Sequence, residues 1–267
     1  MSQPSTRTAL VTGASSGIGR AVSAALVERG YRVLGTSRRP ETITDPVPGV
    51  EYVALDLADD ASVEACAERV GPVDVLVNNA GESQSGPFEE LPSTALERLF
   101  RINVFGAVRL TQLVLPGMRE RGYGRVVMVG SMLASFPLAY RSSYVASKAA
   151  IKGFANALRR EVAPYGVGVS TVEPGSINTG ISERRTQYLR EDSPFREEYR
   201  TMLSALNTNE SKGISAERVA RTVLRAVEAP TPRPLYAVGS NAPVVFALRR
   251  LFPRSLMLRI VARKHGL

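Results

Sequence analysis

The sequence predicts an α/β fold in which a doubly wound parallel sheet of seven strands carries helices on both faces. Two observations predict it: short segments rich in Val and Leu recur along the 267 residues, and longer segments of helical period separate them. The short segments are apolar throughout, which is typical of parallel strands covered on both faces. Strand–helix–strand units joined by right-handed crossovers then give a doubly wound sheet.

Each predicted strand is bounded by Gly, Pro, Asn or Asp, the residues that most often end regular structure. The predicted strands are residues 8–11, 32–35, 52–55, 73–77, 125–129, 168–172 and 235–238. The predicted helices have apolar residues three and four positions apart, and they are residues 18–29, 62–70, 96–119, 143–162 and 216–227.

One domain is predicted for residues 1–240, because neither an internal repeat nor a low-complexity linker divides them. Within it, residues 175–215 are polar and contain no predicted strand, so we expect a substrate-binding loop beyond the carboxyl ends of the strands. Residues 241–267 form a predicted tail, in which apolar stripes, a proline break and arginines indicate a basic amphipathic helical segment.

The composition excludes several classes of protein. One cysteine, Cys66, and one histidine, His265, leave no internal disulfide, no Cys/His zinc cluster and no mid-chain Ser-His-Asp triad, so no metal site is expected. No apolar run approaches the ~18 residues that span a bilayer, and the polar start lacks the apolar core of a signal peptide. A cytoplasmic protein is therefore expected.

The net charge of +9 is concentrated near the end of the chain, where seven basic residues and no acidic ones follow Glu228. The remainder carries +2, from 27 basic and 25 acidic residues, and has no basic patch with interleaved aromatics, so nucleic-acid binding is not expected. Residues 243–265 have two interpretations: they lie on an anionic membrane surface, or they pack over the substrate opening or a neighbouring subunit.

A glycine-rich turn, TGASSGIG at residues 12–19, joins the first predicted strand to the first predicted helix. Glycines in a G-x-x-x-G-x-G spacing allow a sharp turn and a close approach of backbone N–H groups to a phosphate, and the helix N-terminus adds partial positive charge. The turn therefore predicts a dinucleotide site. Its candidate contacts are Gly13, Ser15, Ser16, Gly17, Ile18 and Gly19.

Further motifs follow this turn in a specific order. NNAG occupies residues 78–81, Tyr144 and Lys148 form a YxxxK, and Ser131 precedes Tyr144 by 13 positions (144 minus 131). With these motifs the chain resembles the short-chain dehydrogenase/reductase family over residues 7–240, and is similar to its steroid and retinol dehydrogenase members. The resemblance implies a Rossmann-type sheet, a nicotinamide cofactor and a homodimer or homotetramer.

The resemblance also implies the role of each catalytic residue. Tyr144 would be the general acid or base, Ser131 would donate a hydrogen bond to the reacting oxygen, and Asn103 would position a water that links Lys148 to solvent. Tyr144 and Lys148 are four residues apart on a predicted helix and so share a face. A free tyrosine titrates near pH ~10, and a nearby cation lowers the pKa, so Lys148 is expected to favour the phenolate.

The end of the second predicted strand indicates the cofactor. NAD-selective sites carry an acidic residue there, but this chain has GTSRRP, so Ser37 and Arg38 are candidates for binding the 2′-phosphate of NADP(H). Alternatively, the arginines are only solvated. Asp56 resembles an adenine contact, or else it caps the next helix. The further cofactor residues that the resemblance implies are Leu57, Asn79, Ala80, Gly81, Tyr144, Lys148, Pro174, Gly175, Ile177 and Thr179.

Apolar residues in two regions are candidates for the substrate pocket. The pocket candidates are Ser131, Leu133, Phe136 and Tyr188, and further apolar residues of the 175–215 loop are Ile181, Leu189, Phe195, Tyr199, Met202 and Leu203. These predict a hydrophobic ketone or secondary alcohol such as a steroid, retinoid or lipid, unless the apolar residues only pack the loop shut. The charged loop residues Glu183, Arg184, Arg185 and Arg190 are expected to face water.

The predicted function is hydride transfer between NADP(H) and such a small apolar molecule. The alternative enzyme is a 3-oxoacyl-[acyl-carrier-protein] reductase, whose acidic carrier could meet the basic tail. A non-catalytic NADPH sensor is the alternative from another class. It is disfavoured because a sensor has no need of Ser131, Tyr144 and Lys148 together.

Overall fold

A computed structural model describes residues 6–180 and 183–267, and it contains nine strands in this part of the chain. The strands are β1 (Thr8–Val11), β2 (Arg32–Ser37), β3 (Val50–Ala54), β4 (Val75–Asn78), β5 (Gln84–Ser85), β6 (Gly124–Val129), β7 (Val167–Pro174), β8 (Thr186–Gln187) and β9 (Leu235–Val238). The α-helices are α1 (Gly17–Glu28), α2 (Asp60–Val70), α3 (Ser93–Phe100), α4 (Ala107–Glu120), α5 (Ser142–Val162), α6 (Arg196–Ser211), α7 (Ala216–Glu228), α8 (Ala242–Leu251) and α9 (Arg254–Lys264).

Seven of the strands form one parallel sheet in the order β3-β2-β1-β4-β6-β7-β9, which confirms the predicted doubly wound fold. The central strand β1 pairs with β2 on one side and with β4 on the other, so Ala9 lies between Val33 and Val75. The strand order reverses at this point, and a crevice opens there beyond the carboxyl ends of the strands. Ligands of such sheets bind in this crevice.

Two apolar layers hold helices against the sheet. On one face Leu26 of α1 packs with Val223 of α7, and on the other Cys66, Leu110 and Ile151 come from α2, α4 and α5. All five side chains are buried. The strands between these layers are buried on both faces, which explains why their sequences are apolar throughout.

The single helix predicted for residues 96–119 is in fact interrupted. A π-helical turn, Arg101–Gly106, separates α3 from α4. A Cβ at Gly106 would overlap the Leu57 carbonyl oxygen, so this turn packs closely on the chain after β3. Such π-helical turns frequently mark functional sites, and this one contains Asn103.

The prediction that residues 175–215 contain no strand is wrong. β8 pairs in parallel with β5, and α6 buries Tyr199, Met202 and Leu206 beside Leu138. These three residues of α6 share one face, and their burial against the chain after β6 stabilises the helix. Ile181, one of the expected pocket residues, lies outside the described residues.

The tail folds as α8 and α9, and Pro253 ends the connection between them. Ala242 and Met257 are buried beside Met132 and Phe136, which follow β6. The tail therefore packs against the segment that contains Ser131. Every helix within residues 6–180 and 183–267 is too short or too polar to span a bilayer.

Candidate active site

A cavity of about 890 Å³ lies at the carboxyl ends of the parallel strands. One end is formed by the glycine-rich turn and by Arg38 after β2. The other end lies beneath α9, where Met257 and Val261 contribute apolar surface. Tyr144 and Lys148 lie in the wall between these two ends. The cavity therefore joins the predicted dinucleotide site to the predicted catalytic residues.

The glycine-rich turn is shaped for a phosphate. Gly17 has a φ of 54°, and a Cβ there would meet nothing closer than Thr179 at 3.5 Å, so the space above the helix start is open. A Cβ on Gly19 would instead overlap the Gly13 carbonyl oxygen, so α1 can approach β1 only with glycine there. The first turn of α1 contains no acidic residue. Its free N–H groups fit a pyrophosphate.

A hydroxyl group fixes the turn to the NNAG motif. Thr12 Oγ1 accepts hydrogen bonds from the backbone N–H groups of Asn79 and Ala80, each at 2.9 Å. In return, Asn79 Nδ2 donates to the Thr12 carbonyl at 2.9 Å. These bonds hold the loops after β1 and β4 together where a dinucleotide would cross the sheet.

The adenine end of the cavity is polar. Ser37 and Arg38 line it, Arg38 is exposed, and the neighbouring Arg39 does not contribute to the lining. Asp56 also lines the cavity, and its Oδ1 accepts a hydrogen bond from Ala58 N at 2.9 Å. The N-cap of α2 is Asp59, so the alternative in which Asp56 caps this helix is wrong.

Tyr144 and Lys148 occupy one face of α5 and are both buried, whereas Ser131 follows β6. Lys148 Nζ lies 5.9 Å from the centre of the Tyr144 ring and donates to the Val129 carbonyl at 3.0 Å. Ser131 Oγ accepts from Leu133 N at 3.1 Å and also bonds to the Tyr144 side chain. The hydroxyl, phenol and ammonium groups are therefore held in one wall.

The pKa of Tyr144 is raised above its usual value because the phenol is buried, and the guanidinium of Arg141 and the hydrogen bond with Ser131 lower it in part. The pKa of Tyr144 thus moves opposite to the direction expected from Lys148, because burial outweighs the groups that lower it. The effective cation is Arg141, whose Cζ lies 4.5 Å from the centre of the Tyr144 ring. Burial lowers the pKa of Lys148 itself to about 8, since the ammonium loses its hydration.

Asn103 binds the backbone of Glu82. Its Oδ1 accepts from Glu82 N at 2.8 Å, and its Nδ2 donates to the Glu82 carbonyl at 3.0 Å and to Ser147 Oγ at 3.2 Å. The π-helical turn brings this side chain to the end of the NNAG motif. Asn103 thus positions the chain beside the cavity without lining it, and its expected water-binding role stays a prediction.

Comparison with known proteins identifies the family. The sequence pattern that defines the short chain dehydrogenase family matches residues 7–189. Human 17-beta-hydroxysteroid dehydrogenase type 1 is 34% identical over 248 residues, which cover 84% of this chain and 74% of that protein. The chain belongs to the short chain dehydrogenase family. Its glycine-rich turn and YxxxK are the motifs by which the sequence resembled that family.

Two further proteins are similar to this chain over nearly its whole length. The 3-ketodihydrosphingosine reductase of Bacteroides thetaiotaomicron is 29% identical over 260 residues, 95% of this chain and 96% of that protein. A short chain dehydrogenase from Burkholderia cenocepacia, solved in complex with NADP, superposes with a TM-score of 0.77 at 28% identity and covers 96% of this chain and 97% of that one. The chain is thus an oxidoreductase with a Rossmann-type fold.

Most of the predicted site residues line the cavity described above. Those that do are Gly13, Ser15, Ser16, Gly17, Ile18, Ser37, Arg38, Asp56, Leu57, Asn79, Ala80, Gly81, Ser131, Leu133, Phe136, Tyr144, Lys148, Pro174, Gly175, Ile177 and Thr179. Gly19 packs under the turn. Tyr188 does not line the cavity. Its backbone N–H donates to the Ser85 carbonyl, and its carbonyl oxygen and Cβ lie against Gly86.

Several residues of the candidate site were not predicted. Arg184 lines the cavity and donates to Ser16 Oγ at 3.1 Å, at the start of α1. Arg185, expected in water, is buried, and its Nη2 donates to both carboxylate oxygens of Glu210, at 2.7 and 2.5 Å. Glu210 and His265 also line the substrate end. Arg141 had a sequence signal, because it lies only three residues before Tyr144, at the N-cap of α5.

Proposed function

We propose that the chain transfers hydride between NADP(H) and a hydrophobic ketone or secondary alcohol. The observation that carries this proposal is the single cavity that joins the glycine-rich turn to Ser131, Tyr144 and Lys148. The bound cofactor would supply or accept the hydride. In reduction, Tyr144 Oη gives its proton to the carbonyl oxygen, and in oxidation it takes the hydroxyl proton. Ser131 Oγ donates a hydrogen bond to that oxygen as its negative charge develops.

Lys148 has two proposed tasks. Its buried ammonium would hold the nicotinamide ribose hydroxyls. Gly81 leaves the space next to Nζ open, because a Cβ added to Gly81 would lie 3.5 Å from Lys148 Nζ and 2.9 Å from Asn103 Oδ1. It would also return the proton that Tyr144 releases, since a pKa of about 8 allows the ammonium to exchange protons near neutral pH.

The NADP(H) preference is proposed from the end of β2. Thr36 is buried and accepts a hydrogen bond from Gly13 N at 3.3 Å, so no carboxylate occupies the place that binds a ribose 2′-hydroxyl in NAD-selective sites. Arg38 lies at the exposed end of the cavity and would pair with the 2′-phosphate. The NADP complex of the Burkholderia cenocepacia relative supports this proposal.

An apolar substrate is proposed from the other end of the cavity. Leu133, Phe136, Leu206, Met257 and Val261 line it, and they come from the segment after β6, from α6 and from α9. The names of a steroid dehydrogenase and a ketosphingoid reductase among the relatives fit a large apolar molecule. The test is to measure turnover of a panel of steroid, retinoid and long-chain ketones and alcohols from the change in NADPH absorbance. Turnover limited to small hydrophilic carbonyls would contradict the proposal.

A 3-oxoacyl-[acyl-carrier-protein] reductase is the second candidate, because Lys264 lies at the rim of the cavity and seven basic residues follow Glu228. An acidic carrier would meet this charge. Turnover of acetoacetyl-carrier protein at a kcat/KM far above that of the free thioester would favour it. NADPH binding with no turnover in either panel would favour the sensor.

The C-terminal segment, α8 and α9, supports a peripheral membrane contact. Its α9 packs over the substrate end, but Leu251 is 76% and Phe252 44% exposed, beside Arg250 and Arg254. If two copies of the chain met through this segment, their arginines would repel each other. We therefore propose that the segment contacts an anionic lipid surface. Vesicles containing phosphatidylglycerol should pellet the protein, and Leu251→Asp should prevent this, whereas Phe88→Asp at a separate exposed position should not. Self-association without vesicle binding would overturn the proposal.

A homodimer or homotetramer is proposed from the family resemblance. Phe105, in the π-helical turn before α4, and Phe154, in α5, are both exposed. Exposed large apolar side chains on helices are typical of subunit contacts. Analytical ultracentrifugation should give at least a dimer, and Phe154→Glu should shift it towards the monomer; a wild-type monomer would contradict the proposal.

A further inference from the structure

The cavity wall beside Tyr144 contains a buried guanidinium with unused donors. Arg141 is 2% exposed and lines the cavity, and its Nη2 donates to Ser83 Oγ at 3.0 Å. Within residues 6–180 and 183–267, its Nε and Nη1 are buried without a hydrogen-bond partner. Buried donors of a charged group are costly to leave unsatisfied, because they have lost their hydration without gaining a partner. This wall is therefore arranged for an acceptor that comes from a ligand.

The surrounding charges favour an anion at this position. Glu210 is engaged by Arg185 through two hydrogen bonds, and Arg185 Nη1 also donates to Asn207 Oδ1 at 2.8 Å. Burial, followed by the charge of Arg185, lowers the pKa of Arg141 to about 10, so Arg141 is still protonated at neutral pH. Lys264 lines the same end of the cavity. The basic groups here outnumber the carboxylate of Glu210.

We propose that Arg141 binds a carboxylate of the substrate, so that the natural substrate is an oxo or hydroxy acid with an apolar tail. This inference rests on the proposed function. A guanidinium N–H donates a strong, charge-assisted hydrogen bond to a carboxylate, and Nε and Nη1 of Arg141 both lack a partner. Because these two nitrogens lie on opposite edges of the guanidinium, the carboxylate would accept from one of them. Arg141 Cζ lies 4.5 Å from the centre of the Tyr144 ring, so a carboxylate bound there would lie within a few bonds of the reacting carbon. The tail would extend over Phe136 and Met257.

The first test is binding, which does not depend on turnover. Calorimetric titration of the full chain, loaded with NADP, compares 3-hydroxydecanoate with its methyl ester, which has the same tail without the charge. Wild type should bind the acid about 10- to 100-fold more tightly, as expected for a hydrogen bond to a charged group. Arg141→Gln should bring the two affinities together. A wild-type ratio near one overturns the proposal, whatever the variant does.

A matched control separates the charge from the local packing. Ser83→Ala removes the hydrogen bond at Arg141 Nη2 but keeps the guanidinium, so the acid-to-ester ratio should stay at its wild-type value. Loss of the ratio in Ser83→Ala as well would mean that wall geometry, and not Arg141, selects the acid. NADPH fluorescence shows whether each variant keeps the dinucleotide half folded, and Arg141→Lys, which keeps a cation but loses the planar fork, should show an intermediate ratio.

Turnover distinguishes the failure of this inference from the failure of the proposed function. Reduction of neutral ketones with no preference for 3-oxo acids would leave the oxidoreductase assignment intact and overturn the role of Arg141. Preferential binding of the acid with no turnover of either compound would support the subsite and contradict the proposed reaction.

Discussion

Replacing Arg38 with Ala should remove most of the preference for NADPH over NADH. Arg38 lies exposed at the adenine end of the cavity, and no carboxylate in residues 6–180 or 183–267 forms an ion pair with it. A hydrogen bond to a charged group contributes about 1.5–3 kcal/mol, and a surface pair of unit charges at ~4 Å contributes between ~1 and ~4 kcal/mol. The expected loss of NADPH affinity is therefore about 10- to 100-fold, with little change for NADH.

Equilibrium titration of cofactor fluorescence measures this without knowledge of the substrate. Arg39→Ala is the matched control, because Arg39 has the same side chain one residue later but does not line the cavity. Since the proposed pair is exposed, the NADPH preference should also weaken as ionic strength rises. Equal losses for both cofactors, or an equal effect of Arg39→Ala, would refute the reasoning.

Three further predictions concern the turn and the catalytic wall. Gly19→Ala should abolish NADPH binding, because the added Cβ would overlap the Gly13 carbonyl oxygen. The control is Gly30→Ala: Gly30 has a φ of 80° and open space around it, so this variant should lose about 1–2 kcal/mol of stability and still bind NADPH. Equal NADPH binding by both variants would contradict this. Ser131→Ala should lower kcat by about 10²–10³-fold at unchanged NADPH affinity, and a smaller effect would remove Ser131 from the reaction. The pKa of Lys148 falls from 10.5 to about 8 on folding, so its stabilising contribution is present above pH 10.5 and lost as the pH falls through 8. The free energy of unfolding of wild type relative to Lys148→Met, from urea titrations without cofactor, should rise by up to about 3.5 kcal/mol between pH 8 and 10.5 (2.5 pH units at ~1.4 kcal/mol each). A flat difference would contradict the buried ammonium.

The fold could be predicted where local pattern determines it. Apolar runs located all seven strands of the main sheet, because strands buried on both faces leave few polar residues in their sequence. β5 and β8 were missed because each has two residues, and they form only where two distant segments meet. The signal for α6 was present in the spacing of Tyr199, Met202 and Leu206, but the polar composition of the segment masked it.

The candidate site could be predicted where a motif is continuous in sequence. Tyr144 and Lys148 are one helical turn apart, so their common face followed from the spacing. The pairing of Arg185 with Glu210 depends on how α6 packs, and no local pattern indicates it. For the same reason Arg185 was expected in water. The pKa of Tyr144 was mispredicted because burial and Arg141 act through three-dimensional proximity.

The most direct measurement of the acid–base claim is the rate of carbonyl reduction by Tyr144→Phe, with NADPH affinity measured in the same preparation. The phenylalanine keeps the buried ring but removes the hydroxyl group that bonds to Ser131. The affinity for NADPH should be unchanged, and the rate should fall by about 10²–10⁴-fold or more, the range expected for loss of a general acid. A variant that still reduces the substrate at the wild-type rate would contradict the role assigned to Tyr144.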